Sequence, residues 1–116
     1  MDQIKDAEQP IQEKALKLEK LIKKWSKELD QPVHHYFVGT SETKHVCFQW
    51  FGTETGGREL VVLIKSERHV VVVTAEGIND NEIHLSGVLA IEPYFKWLLT
   101  GKLKVEPNLI IYDEID

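Results

Sequence analysis

The chain has 116 residues, of which 42% are hydrophobic and 28% charged, a size and composition typical of one globular domain. This composition excludes a disordered or fibrous chain, and no apolar run approaches the roughly 20 residues needed to cross a bilayer. A net charge of −5 disfavours nucleic acid as the main partner. A single cysteine, Cys47, excludes an internal disulfide and any CxxC motif.

The N-terminal segment MDQIKDAEQP is polar, whereas a secretory signal needs a basic start followed by an apolar stretch. We therefore expect a cytoplasmic protein. We also expect residues 1–9 to form a flexible N-terminus and residues 10–116 to form a single α+β domain.

The first predicted element is an amphipathic helix that begins at Pro10, with Gln9 outside it, and ends before Pro32. Its apolar residues recur at alternating spacings of four and three, which places them on one stripe of a helix. They are Ile11, Ala15, Leu18, Ile22, Trp25 and Leu29. Six lysines cover the opposite side, and we interpret them as a solvated surface rather than an anion-binding one.

Two strand-like segments follow, residues 33–40 and 45–52, and short connections favour an antiparallel meander. In the second segment, Val46, Phe48 and Trp50 alternate with polar or smaller residues, so we expect these three side chains to face the core. The GTETGG sequence after it lacks the spacing, lysine and serine of a phosphate-binding loop and is interpreted as a hairpin connection.

The stretch RELVVLIKSERHVVVVTA, residues 58–75, predicts a central β-hairpin that is apolar on both faces. If the turn is centred on Ser66 and Glu67, Val62 lies opposite Val71 and Val61 opposite Val72. The face assigned to the long helix then carries Leu60, Val62, Ile64, His69, Val71 and Val73. The second face carries Val61, Leu63, Val70 and Val72.

Towards the C-terminus, residues 76–81 are interpreted as a loop, and residues 82–91 fit either a strand or a short helix, of which the helix is favoured. An apolar helix is predicted from Pro93 to Thr100, ending at Gly101. A last strand containing Pro107 follows. The fold class is thus α+β: an N-terminal amphipathic helix, an antiparallel meander of about five strands, and a short C-terminal apolar helix before a last strand.

The histidines and the cysteine were tested for metal-binding and nucleophilic patterns. The residues to consider are His34, His35, His45, His69, His84 and Cys47. His34 and His35 are adjacent on a strand and face opposite ways, whereas His45 and Cys47 share a face and would need a third ligand from the first strand, His34 or the Tyr36 side, to bind zinc. We therefore predict no catalytic residue, no metal site and no cofactor, and an enzyme or metal protein that uses His45 and Cys47 ranks last among the hypotheses.

The segments FQWFGTETGGRELVVLIK, HVVVVTA and LLTGKLKVEPNLII resemble sterol-carrier-type lipid-binding domains over roughly the C-terminal half of the chain. This resemblance implies a helix and sheet that enclose an apolar tunnel for acyl or sterol ligands, with the helix from Pro93 to Thr100 lining it. It implies binding without catalysis. The chain departs from the pattern at Gly87-Val88-Leu89 and over residues 33–44.

Two functional hypotheses remain. The first is a non-catalytic module that binds a protein partner or forms a homodimer through an uncovered sheet face, because two apolar faces exceed what one long helix covers. The alternative is a carrier of lipid or another apolar small molecule. The residues expected to form the apolar surface or cavity are Val61, Leu63, Val70, Val72, Tyr94, Phe95, Trp97 and Leu98.

Overall fold

The computed structural model describes residues 7–30, 36–40, 44–51 and 57–103. The first element is the helix α1 (Gln9–Leu29), which begins one residue earlier than predicted, with Pro10 in its first turn. It ends where Asp30 adopts a left-handed conformation. The predicted apolar stripe is confirmed, because Ile11 to Trp25 of that stripe are buried and Leu29 packs at the edge of the core.

The sheet is a five-stranded antiparallel meander in which each strand pairs with its neighbours in the chain. This confirms the predicted fold class. The strands are β1 (Tyr36–Thr40), β2 (Val46–Phe51), β3 (Arg58–Ser66), β4 (His69–Glu76) and β5 (Asn79–Leu85). The expected last strand after Leu103 lies outside the described residues.

The C-terminal helix α2 (Glu92–Thr100) follows a short 3₁₀ turn at Leu89–Ile91 and ends at Gly101, as predicted. Gly101 adopts φ +77°, a left-handed conformation that glycine allows without strain. The Arg58 Nε donates a hydrogen bond to the Leu98 carbonyl over 3.0 Å, which joins the start of β3 to the end of α2.

Both helices pack on the same face of the sheet. The core between them contains the Trp25 and Phe95 rings, with centroids 5.8 Å apart, and the Phe95 and Trp50 rings, at 6.0 Å in an edge-on arrangement. Phe48 stacks on Trp50 at 5.3 Å. The prediction that Val46, Phe48 and Trp50 face the core is therefore confirmed.

The predicted register of the central hairpin is wrong by one residue. Val62 lies opposite Val72, not Val71, because the two-residue turn is Glu67-Arg68 and the ladder is irregular between Ile64 and Ser66. A shift of one residue reverses the face of every β4 side chain. Val70 and Val72 are thus fully buried with Leu60, Val62 and Ile64 in the core. His69, Val71 and Val73 lie on the opposite face with Val61 and Leu63.

The preference for a short helix in residues 82–91 is also wrong over its first half. Residues 79–85 form β5, and the predicted loop at 76–81 reduces to the two-residue turn Gly77-Ile78. Gly77 has φ +65°, a conformation that hairpin turns beginning with glycine require. β5 turns Ile83 and Leu85 towards the core, where they pack at its edge.

Candidate interaction surface

The sheet face opposite the two helices is called the open face, because no helix or strand within the described ranges packs on it. Its members are defined by the strand pairing, since residues directly opposite in an antiparallel pair share a face. They are Phe37, Gly39, Cys47, Gln49, Phe51, Glu59, Val61, Leu63, Lys65, His69, Val71, Val73, Ala75, Asp80, Glu82 and His84.

Four aliphatic side chains form the centre of the open face. Val61, Leu63 and Val73 are half-buried, and Val71 is only 2% exposed although it does not belong to the main core. These residues occupy two adjacent rows across β3 and β4, since Val61 lies opposite Val73 and Leu63 opposite Val71. The open face therefore has a continuous apolar centre.

Charged and polar residues surround this centre and differ between the two ends of the strands. Lys65 and His69 lie at the end near the β3–β4 turn. Glu59 and Asp80 lie at the other end, where the Gln49 side-chain amide also donates a hydrogen bond to Glu59. The open face is thus basic at one end and acidic at the other.

Two exposed aromatic rings form one corner of the open face. Phe37 is 64% exposed and Phe51 43% exposed, and their ring centroids lie 6.5 Å apart in an edge-on arrangement. Exposed aromatic side chains beside an apolar patch are typical of residues that anchor protein interfaces. This corner extends the apolar centre towards β1.

Cys47 lies between these features, half-buried in β2 opposite Leu63. Burial raises the pKa of the Cys47 thiol, which disfavours the nucleophilic thiolate. Within the described ranges, no three His, Cys, Asp or Glu side chains form a group suited to a metal ion. His45 precedes β2 and lies outside the strand pairing that places Cys47 on the open face. His34 and His35 lie outside the described residues.

The eight residues predicted for an apolar surface or cavity divide into two groups. Val61 and Leu63 lie on the open face. The other six belong to the core under the helices, where they contact α1 or the sheet: Val70, Val72, Tyr94, Phe95, Trp97 and Leu98.

Sequence reasoning missed Val71 and Val73, which it assigned to the covered face, as well as Phe37 and the residues of β5. One signal was present. Glu59, Val61, Leu63 and Lys65 are every second residue of β3, so their side chains lie on the same face. The charged residues at both ends of this series indicate that the face is the one exposed to solvent.

A separate groove lies beside α2, next to the C-terminal end of α1. It has a volume of about 670 Å³ and is lined by Leu29, Glu92, Pro93, Lys96, Leu99, Thr100 and Lys102. Its lining is mixed apolar and charged.

No helix in the described part of the chain has both the length and the apolarity that a transmembrane span requires.

Comparisons with family models, with curated proteins and with solved structures gave no match to this chain.

Proposed function

We propose that this protein is a non-catalytic interaction module that forms a homodimer through the open face of its sheet. The observation that carries this proposal is the arrangement of the open face, an apolar centre between a basic end and an acidic end. Protein interfaces combine an apolar centre with a polar rim in this way. A second copy of the chain suits this surface because the charge pattern is complementary to itself.

The complementarity depends on the direction of the two-fold axis. Two copies can pack face to face about an axis in the interface that runs perpendicular to the strands, which places the basic end of one copy over the acidic end of the other. Lys65 then lies over Glu59 of the second copy, and His84 over Glu82. An axis parallel to the strands would instead oppose like charges, which disfavours association.

The same perpendicular axis matches the apolar rows. It places Leu63 over Val61 and Val71 over Val73 of the second copy, so the aliphatic centre is buried on aliphatic side chains. Each interface of this kind is isologous, because both copies use the same surface.

The open face is also large enough. Five strands about 4.8 Å apart and four rows of side chains about 7 Å apart span roughly 600 Å² on each copy. The two copies together would bury about 1,200 Å², which is at the lower end of stable protein interfaces. We therefore expect a dimer that dissociates on dilution.

A charge-swap experiment tests the contact between Lys65 and Glu59. Lys65→Glu and Glu59→Lys should each weaken self-association about tenfold or more, because both variants place like charges opposite each other at two symmetry-related contacts. An equimolar mixture of the two variants should form a heterodimer, since both contacts then join opposite charges. Sedimentation velocity over a range of concentrations measures all three samples and the unmodified chain.

The control is Lys24→Glu, which makes the same substitution on an exposed position of α1 away from the sheet and should leave association unchanged. Two monomeric variants that fail to associate when mixed would contradict the proposed axis. An unmodified chain that stays monomeric at all concentrations would overturn the homodimer. In that case, protection of Val61 and Leu63 from solvent would assign the open face to residues 104–116 of the same chain.

A carrier of lipid or another apolar small molecule is the second candidate. The groove beside α2 has the volume of an ordinary ligand site, and Leu29 and Leu99 beside Lys102 suit an amphipathic anion such as a fatty acid. Long-chain fatty acid should then raise the melting temperature, and Lys102→Glu should reduce this effect. If neither adduct mass in native mass spectrometry nor a thermal shift is found, this candidate is excluded.

A further inference from the structure

Two histidines meet on the open face at its β5 edge. His69 begins β4 and His84 lies near the end of β5, and the His69 Nε2 and His84 Nδ1 atoms are 3.0 Å apart. The two rings are close to parallel, with an interplanar angle of 20°. His69 is half-buried, whereas His84 is exposed, so the pair is open to solvent on one side.

Glu82 fixes the role of His84 in this contact. A Glu82 carboxylate oxygen lies 2.9 Å from the His84 Nε2, so this nitrogen carries the ring proton and donates a hydrogen bond to the carboxylate. In the neutral ring the His84 Nδ1 therefore carries a lone pair, which accepts the hydrogen bond from the His69 Nε2. The His84 lone pair points at the other imidazole rather than into bulk water.

A metal ion can take the place of this hydrogen bond after both rings rotate, because the two lone pairs must converge on a point beside the line that joins the nitrogens. Two imidazole nitrogens bound to tetrahedral Zn²⁺ at about 2.0–2.1 Å lie about 3.3 Å apart, close to the distance of 3.0 Å between the two histidine nitrogens. The His69 proton then moves from Nε2 to Nδ1, and both rings turn by about 35° so that their lone pairs meet at the ion. A carboxylate that holds the distal nitrogen of a ligating histidine is the usual support of such a ligand.

We propose that His69 and His84 form a two-histidine site for a divalent transition metal ion of the zinc class, with Glu82 as the positioning residue. Imidazole nitrogens select Zn²⁺, Cu²⁺ and Ni²⁺ over Mg²⁺ and Ca²⁺. Within the described part of the chain no third group joins the pair, so water completes the coordination. Both histidines belong to one chain, so the monomer can hold the site, whereas the proposed dimer places Glu82 of the second copy over His84 and covers the site.

Titration of the full chain with Zn²⁺ tests the site, in a background that carries His34→Gln and His35→Gln, since adjacent histidines bind metal ions adventitiously. We expect one Zn²⁺ per chain by isothermal titration calorimetry. His69→Gln and His84→Gln should each weaken binding at least tenfold, and Glu82→Gln should weaken it about 10- to 100-fold. ¹⁵N-detected imidazole spectra should show Zn²⁺ at the His69 Nε2 and the His84 Nδ1.

His45→Gln is the matched control. His45 precedes β2, and β2 is separated from β4 by two strand spacings, or about 10 Å. Its Zn²⁺ affinity should equal that of the background chain. Mg²⁺ should not compete. Binding that survives His84→Gln, or an equal loss in His45→Gln, would show adventitious binding and overturn the proposal, as would coordination through the His84 Nε2.

Discussion

Cys47 illustrates how the open face sets the chemistry of a single side chain. Its thiol is half-buried in β2 between Gly39 of β1 and Leu63 of β3. Burial raises the pKa of this thiol because a thiolate loses hydration there. The thiolate, which is the reactive form, is thereby disfavoured at neutral pH.

We expect Cys47 to react more slowly with iodoacetamide in the folded protein than in the unfolded chain. The reaction rate should rise with pH, and the midpoint of this rise should lie above the pKa of a free cysteine, which is about 8.5. If the proposed dimer forms, the rate should also fall as protein concentration increases, because the second copy would cover the open face. Mass spectrometry of the alkylated chain measures both effects. The urea-unfolded protein is the control, and equal native and unfolded rates at each pH would contradict the expectation.

At the residue scale, the sequence placed His45 and Cys47 on one face but did not indicate that His69 and His84 meet. His45 and Cys47 are two residues apart, and alternation alone places them on one face. The contact between His69 and His84 requires that β5 exist and that Val71 lie opposite His84. Both conditions depend on tertiary pairing, which spacing along the chain does not reveal.

At the element scale, Lys96 connects the two helices. The Lys96 Nζ lies 2.6 Å from a carboxylate oxygen of Glu92 within α2 and 3.3 Å from one of Glu28 in α1. The hydrogen bond to Glu92 raises the pKa of Lys96, with a further contribution from Glu28, and burial opposes this rise. The contact with Glu28 joins the end of α1 to α2, and the contact with Glu92 lies within α2.

Replacement of this lysine, Lys96→Met, should lower the free energy of unfolding at neutral pH by about 0.2–1 kcal/mol, as is usual for partly exposed ion pairs. Because the pKa of Lys96 is raised in the folded state, its stabilisation is fully present below the ordinary value of 10.5 and is lost as the pH rises through the raised value. Urea unfolding of both proteins at several pH values measures the difference.

Lys24→Met, on an exposed position of α1, is the control and should change stability little. A difference between Lys96→Met and the unmodified protein that persists undiminished in strong alkali would contradict the role of the charge. It would assign the effect to packing of the lysine stem instead.

The elements that the sequence predicted well are those with one polar and one apolar side. The stripe from Ile11 to Leu29 defines α1, and the alternation around Phe48 defines β2. The hairpin of β3 and β4 has aliphatic residues on both faces, so nothing in the row Val70–Val73 specifies its register. β5 is rich in Asn and Asp, which disfavour strands, and pairing with β4 overrides that preference.

At the scale of the whole molecule, two helices cover one side of a sheet whose other side has an apolar centre. Val61 and Val62 are neighbours in β3 and lie on opposite faces of the sheet. Val62 is fully buried under the helices, whereas Val61 is half-buried on the open face. The same substitution at both positions therefore compares a core position with a position in the proposed interface.

Val62→Ala should destabilise the chain by about 1–3 kcal/mol at every protein concentration. Val61→Ala should destabilise the monomer less than Val62→Ala does. If the proposed dimer forms at high concentration, Val61→Ala should weaken it, and the melting temperature of this variant should then fall below that of the unmodified protein mainly at high concentration. Differential scanning calorimetry over a hundredfold concentration range separates the two. Equal losses that do not depend on concentration would show that both sides are covered within one chain.

The two-residue turns Glu67-Arg68 and Gly77-Ile78 lead us to expect a particular order in which the chain folds. Short loops close at little entropic cost, so the β3–β4–β5 unit can form from local contacts while α1 is still separate in space. Docking of α1 requires contacts between distant parts of the sequence and should follow. Substitutions in β4 should then slow folding, whereas Leu18→Ala in α1 should mainly speed unfolding. Stopped-flow kinetics measures both rates. Equal effects of the two kinds of substitution on the folding rate would contradict this order.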